Sequence, residues 1–258
     1  MSNTQQQEES SSLMDANLTF PTLCTQIGID SRLRKAISRL NYIHPTLVQS
    51  KSIPLAITSG RDLLVRAKTG SGKTLAYCIP VVQKILAWKL LVAERGDDYE
   101  EDSDGEEKSS EGGAAVKGVI LVPTRELCNQ VAMVLDDLTY YCADQIKVVV
   151  LSSSSSSTAK KNKKKGGDNA TLQQEALLRD RPDIVVATPA GLVTHVRNGQ
   201  LNLKKSVETL VVDEADLILS FGKFCVYLMM HIFCTVRSLS KYCHLVIILI
   251  TLLLYSSH

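Results

Sequence analysis

Leu63-Leu-Val-Arg-Ala-Lys-Thr-Gly-Ser-Gly-Lys-Thr-Leu75 decides the fold of this chain. The apolar run Leu63–Val65 leads into Ala67-Lys-Thr-Gly-Ser-Gly-Lys-Thr74, and a helix-forming stretch opens near Gly72. Strand, glycine-rich turn and helix amino terminus, in that order, are the setting of a phosphate-binding loop. Gly70 and Gly72 let the backbone curl so that several N–H groups converge on one phosphate, with Thr69 and Ser71 between and before them. Lys73 supplies a point charge for the outer phosphates, and Thr74 offers a hydroxyl to Mg²⁺. Ala67 stands where the common pattern has its first glycine. The competing reading is a helix cap that holds no ligand.

Outward from this loop, short β-branched runs alternate with helix-length stretches. The strand candidates are Leu63–Ala67, Gly118–Val122, Lys147–Leu151, Asp183–Thr188 and Thr209–Asp213. They are short and largely apolar, as strands buried on both faces of a parallel sheet must be. Helical patterns cover 31–40, 47–58, 72–87, 125–142, 171–180 and 190–198. This βαβα order predicts an α/β class with a mostly parallel sheet and helices on both faces.

Val211-Val-Asp-Glu-Ala-Asp216 is the second signal. It closes a buried strand at its carboxyl end, where open α/β sheets place their sites. A carboxylate pair at that position is costly to bury without a partner. A divalent cation would relieve the cost, with Asp213 holding Mg²⁺ through water and Glu214 orienting and deprotonating an attacking water. The alternative is an acidic first turn of a helix.

The composition sets limits around these motifs. The chain has 258 residues, 45% hydrophobic and 22% charged, which suits a soluble globular core and excludes collagen-like, wholly disordered and disulfide-scaffold chains. The net charge of +2 conceals an acidic insert at 97–111 with nine carboxylates and one lysine, and a lysine run at 160–165. A mildly basic body suits a polyanionic partner. The seven cysteines have no CxxC or ligand-like spacing and read as reduced thiols. Residues 1–18 read as a disordered leader without a secretory signal, and 97–113 and 152–168 as flexible inserts. The tail, 223–258, holds no carboxylate. Its apolar run Leu245–Leu254 is too short for a designed membrane anchor, since a span needs about 20 residues. By apolarity alone, His244–Ile250 suits a strand that the sheet otherwise lacks.

Together these segments resemble a DEAD-box ATP-dependent RNA helicase over about residues 24–222. Asp213-Glu-Ala-Asp216 stands intact, and Pro45-Thr-Leu-Val-Gln49 is similar to the adenine-reading Q motif, with Tyr42 at its aromatic position. Pro123-Thr-Arg-Glu-Leu127 resembles motif Ia, and Thr188-Pro189 opens an element like motif Ib. The resemblance implies a RecA-like domain over 19–222 that takes ATP and Mg²⁺. Its ATP-binding residues would be Tyr42, Gln49, Ala67, Thr69, Gly70, Ser71, Gly72, Lys73 and Thr74, and its catalytic residues Lys73, Asp213 and Glu214. Pro123, Thr124, Arg125, Thr188 and Pro189 would meet the RNA backbone and leave the bases unread. Three places depart from the family pattern: Cys24 stands for an aromatic, Ala190-Gly191 follows Thr188-Pro189 where the family has an arginine, and the Ser152–Ser157 run replaces a Gly-Gly element.

Tyr140-Tyr-Cys-Ala143, Leu210–Asp216 and Ser220-Phe-Gly222 are similar to the nucleolar subfamily of large-ribosomal-subunit assembly. That similarity implies ribosome biogenesis, contact with pre-ribosomal particles and a nuclear, nucleolar address, with cytoplasm as the alternative. Beyond 222 the resemblance stops, and no Ser-Ala-Thr occurs. The reading expects no second RecA-like domain, a tail with the composition of a translated retained intron, and no unwinding by residues 1–258. Two functional expectations stay open: helicase chemistry carried by its ATP-binding domain, or a catalytically deficient fragment that binds Mg²⁺–ATP and, weakly, RNA.

Overall fold

A computed structural model describes residues 13–59, 62–95, 116–152, 167–201, 203, 206–220 and 245–251. The acidic insert, the lysine run and most of the tail lie outside the described residues, as do the first twelve residues of the expected leader.

Three helices precede the first strand: α1 (Phe20–Gln26), α2 (Ser31–Arg39) and α3 (Leu47–Thr58). The sequence pattern missed α1, yet its start is written locally. Thr19 caps it by accepting from Thr22 N, and a proline sits in its first turn, where its missing N–H costs nothing. Residues 13–18, expected in the disordered leader, are instead tied down. Met14 bridges to Thr46, and Asp15 N donates to Pro45 O. Asp30 caps α2 through its carboxylate, and Thr46 caps α3 in a reciprocal capping box with Gln49.

Strand β1 (Leu63–Ala67) then feeds α4 (Lys73–Arg95). They are followed by β2 (Gly118–Leu121), α5 (Arg125–Thr139), β3 (Val148–Leu151), α6 (Gly167–Arg179), β4 (Ile184–Ala187), α7 (Pro189–Arg197), β5 (Thr209–Val212), α8 (Ala215–Ser220) and β6 (Leu245–Thr251). Helix α4 runs eight residues past the expected end at 87, because Trp88–Arg95 contains no helix breaker and several good helix formers. It is long and apolar enough to cross a membrane, but more than half of it is buried within the protein. Helix α6 starts inside the expected insert, four residues before the pattern placed it.

The six strands form one sheet in the order β1-β6-β5-β2-β4-β3, and every pairing is parallel. All residues of β2, β4 and β5 are buried, which explains their unbroken apolar sequence. Successive side chains serve opposite layers. Ile120, Val122, Ile184, Val186 and Val211 pack with α1–α5. Val119, Leu121, Val185, Leu210 and Val212 pack with residues of α6, α7 and α8, including Leu178, Leu192 and Ile218. Each such buried aliphatic contributes roughly 1.5–3 kcal/mol. The apolar segment near His244–Ile250 forms β6, which fills the sheet between β1 and β5 in register with both.

Candidate functional site

The carboxyl ends of β1 and β5 lie two strand spacings apart, about 10 Å, with β6 between them. The first carries the glycine-rich loop and the second Asp213, so the fold sets the loop and the acidic strand end on one edge of the sheet.

The loop folds around its own lysine. Lys73 is 8% exposed, and its Nζ donates to Ala67 O (2.9 Å) and Lys68 O (3.1 Å). Ser71 Oγ donates to Lys68 O (2.8 Å). Gly70 and Gly72 have φ of +77° and +80°, a conformation that penalises any side chain. Ala67, in place of the usual glycine, is the last strand residue, and its carbonyl accepts from Lys73 Nζ. Thr69 and Gly70 are exposed, Gly72 and Thr74 half-buried. The loop thus presents backbone, one ammonium and one hydroxyl at the amino end of a long helix, a geometry that suits an anion such as phosphate.

Gln49 adjoins this loop. Its Oε1 accepts from Thr46 N (2.9 Å), and its Nε2 donates to Gly72 O (3.1 Å). The amide expected to read adenine therefore also fastens α3 to the phosphate loop. It keeps one N–H and one lone pair for a further partner. Tyr42 is 46% exposed and lies 6.1 Å, centroid to centroid, from Phe20. Cys24 and Phe20 are both buried in the core, which leaves Tyr42 as the exposed aromatic of this group.

Asp213 is 7% exposed and held at both oxygens. Oδ2 accepts from Tyr77 Oη (3.0 Å), and Oδ1 accepts from Glu214 N (2.9 Å). Burial raises its pKa above the usual carboxylate range, although Tyr77, the Glu214 N–H and the charge of Lys73 all pull it down. Glu214 is raised by burial and then by the neighbouring Asp213 charge. Its φ of +49° is a costly conformation for a residue with a side chain, of the kind found at functional sites. Among the described residues no three His, Cys, Asp or Glu side chains form a protein-only cage. A cation at Asp213 and Thr74 would take its other ligands from phosphate and water, which is the habit of Mg²⁺. The buried acid and the half-buried Thr74 hydroxyl fit that pair of ligands.

Pattern reading did not single out Tyr77. It is 1% exposed, and burial, ahead of nearby negative charge, lifts its phenol well above its ordinary pKa. A signal was present: four residues after Lys73 puts it on the same helix face one turn on.

A second pair of helix starts lies on the same edge of the sheet. Thr124 caps α5 by accepting from Leu127 N (3.3 Å), and Thr188 caps α7 by accepting from Gly191 N (3.2 Å). They follow β2 and β4, which are neighbours in the sheet, so the two caps are about one strand spacing apart. Pro123 is half-buried and Arg125 exposed beside them. Pro189 is buried and acts as the first residue of α7. Gly191 is pressed against the chain. A Cβ there would lie 2.5 Å from Leu151 O, so no arginine fits at this position. Ser152, first of the serine run, accepts from Gln174 Nε2 (3.1 Å), and Gln174 Oε1 meets His195 Nε2 (2.9 Å). That buried histidine ties α6 to α7 and was also missed, because nothing in its spacing marks it.

Residues 46–241 match the family model described as DEAD/DEAH box helicase. Over 213 residues the chain is 40% identical to the "Probable ATP-dependent RNA helicase ddx56" of Dictyostelium discoideum, covering 83% of this chain and 26% of that protein. It is 42% identical over 194 residues to the "ATP-dependent RNA helicase DBP9" of Kluyveromyces lactis, covering 75% and 27%. Among solved structures it is similar to the yeast DEAD-box splicing factor Prp28, with a TM-score of 0.62 and 25% identity over 88% of this chain and 46% of that one. The chain spans about a quarter of the length of the curated relatives it matches.

Proposed function

The chain belongs to the DEAD/DEAH box helicase family, and from that premise we propose that it binds Mg²⁺–ATP at the β1/β5 edge and an RNA backbone at the β2/β4 edge. The observation that carries the reading is the joining of Lys73, Tyr77 and Asp213. One helix holds the loop lysine and, a turn later, the phenol that grips the acidic strand end. In this reading Lys73 leaves the carbonyls of Ala67 and Lys68 for the outer phosphates. The N–H groups of residues 70–74 surround the phosphates, Tyr42 stacks on adenine, and Gln49 reads its edge with the N–H and lone pair it has left. Thr74 and Asp213 hold Mg²⁺, Asp213 through water. Bound Mg²⁺ would neutralise charge on the phosphates. Glu214, whose carboxyl holds its proton more tightly than a free glutamate, orients the attacking water and accepts its proton.

Thr124, Arg125 and Thr188 present two adjacent helix amino termini and one free-standing guanidinium to a polyanion. Such donors hold phosphates and sugars without reading sequence. Whole relatives carry the printed name of ATP-dependent RNA helicases, and ATP-driven remodelling of RNA is the activity we assign to the protein to which this domain belongs. The similarity of Tyr140–Ala143 and Leu210–Asp216 to the nucleolar subfamily supports the reading that this work is done on pre-ribosomal particles in the nucleolus.

The test is a nucleotide-binding titration of the 258-residue chain with and without Mg²⁺, run beside ATP turnover with and without single-stranded RNA. Saturable Mg²⁺-dependent ATP binding that is lost in Lys73→Ala supports the reading, and absence of any adenine-nucleotide binding refutes it. Binding without RNA-stimulated turnover assigns these residues to holding ATP alone.

A further inference from the structure

Tyr77 is a buried phenol beside a buried carboxylate, and a phenylalanine would fill the same volume without desolvating a hydroxyl. Its Oη donates to Asp213 Oδ2 (3.0 Å), and the Thr74 side chain is a polar neighbour of the same phenol. Thr74 and Asp213 come from opposite sides of the site, one from the start of α4 and one from the end of β5. These are the two side chains assigned above to Mg²⁺. The phenol therefore lies between the two.

Its position is rigidly determined. Tyr77 is 1% exposed, sits one turn into a 23-residue helix and is followed by Cys78, which has no exposure at all. The carboxylate it meets cannot rotate freely, because its other oxygen is bonded to Glu214 N (2.9 Å). Each oxygen of Asp213 has accepted one donor and retains a second lone-pair direction. With the phenol removed, Oδ2 loses its fixed partner, and the Glu214 N–H alone is left to hold the carboxylate.

We propose that Tyr77 is a positioning residue for the metal side of this site, its hydroxyl setting Asp213 and Thr74 at one fixed separation so that a single Mg²⁺ with its water shell engages both. This rests on the reading that the site takes Mg²⁺–nucleotide. Outer partners that orient metal ligands in this way typically govern metal affinity by ten- to a hundredfold. Tyr77 does not touch nucleotide, so it acts on the cation and leaves the metal-free phosphate contacts alone.

The experiment titrates N-methylanthraniloyl-ADP onto the 258-residue chain, wild type and Tyr77→Phe, in EDTA and in Mg²⁺. Mn²⁺ electron paramagnetic resonance of the ADP complex reads the cation directly. Tyr77→Phe is expected to bind metal-free ADP as wild type does, while the tightening produced by Mg²⁺ and the Mn²⁺ affinity fall about tenfold. Equal losses with and without metal would show a merely structural role and overturn the proposal, as would an unchanged Mg²⁺ effect. A wild-type chain that binds no ADP refutes the nucleotide reading itself, and the proposal with it. Should Tyr77→Phe not fold, a crystal structure of the wild type with Mg²⁺–ADP decides. Tyr77 Oη within hydrogen-bonding distance of Asp213 supports the proposal, and a phenol turned away from it overturns it.

Discussion

Gly72→Ala and Gly70→Ala test how the phosphate loop is fastened to the rest of the domain. Both glycines hold nearly the same left-handed conformation, at +80° and +77°, so each alanine incurs the same backbone penalty of roughly 1–2 kcal/mol. Their surroundings differ. A Cβ on Gly70 meets nothing within 4 Å. A Cβ on Gly72 overlaps Gln49 Nε2 and comes within 3.2 Å of Gln49 Cδ and Thr46 Cγ2. Gln49 must then swing away and give up its bonds to Gly72 O and Thr46 N, at about 0.5–1.5 kcal/mol each. Gly72→Ala should therefore be less stable than Gly70→Ala by roughly 1–3 kcal/mol. For a domain of this size that is a Tm lower by roughly 3–10 °C. Circular dichroism melts of the two variants measure the difference directly. In a Gln49→Ala background the collision disappears, so the two glycine variants should converge, with a coupling of about 1–3 kcal/mol between positions 49 and 72. Indistinguishable Tm values for Gly72→Ala and Gly70→Ala in the Gln49 chain would refute the reasoning.

Further outcomes follow from the same geometry. Asp213 has a folded pKa raised above its free value of 3.8 by burial, so the stability it contributes is full below that value and is lost as pH rises through the folded pKa. Without ligand, Asp213→Asn should hence be more stable than wild type at neutral pH, and urea titrations should show the gap closing as the pH falls through the folded pKa toward 3.8. Lys117 lies 4.1 Å from the Trp88 ring centroid and 2.9 Å from Glu208 Oε1; Lys117→Ala should cost about 1 kcal/mol and alter the emission of the chain's single tryptophan. Gly191→Arg, which restores the residue type usual in the family, should destabilise the fold by about 1–3 kcal/mol, because the obstacle is the Leu151 backbone and cannot yield; an unchanged urea midpoint would contradict this. Burial pushes the thiols of Cys24 and Cys128 up to about 11, so roughly one in a thousand is thiolate at pH 8. Mass spectrometry after brief alkylation should find both unmodified in native protein and modified in denaturant.

Much of the site was legible because its chemistry is local. The glycines, Lys73 and Thr74 act through backbone conformation and helix polarity within eight residues, so their spacing alone announces them. Thr124 and Thr188 were singled out by the family resemblance, and their capping of α5 and α7 emerges only in the structure. Strand placement was equally readable, since a strand buried on both faces has to be apolar at every position. What stayed hidden acts across the fold. Tyr77 reads as one more apolar residue of a core helix until β5 brings Asp213 to its hydroxyl. Gln49 reads as an adenine contact until its amide is seen bonded to Gly72 O. His195 looks like any helical histidine until Gln174 and Gln200 close on its two nitrogens at 2.9 and 2.5 Å.

Sequence alone determined the α/β class, the glycine-rich turn between strand and helix and the acidic strand end, because each is set by the order and type of neighbouring residues. Tertiary structure alone decided which of them meet. An apolar segment with no motif, Leu245–Thr251, separates β1 from β5 and so sets the distance from loop to Asp213. Backbone strand pairing has no memory of sequence neighbours and takes whichever strand fills the gap. The side chains that bridge that gap are then selected by three-dimensional reach, which no one-dimensional spacing records.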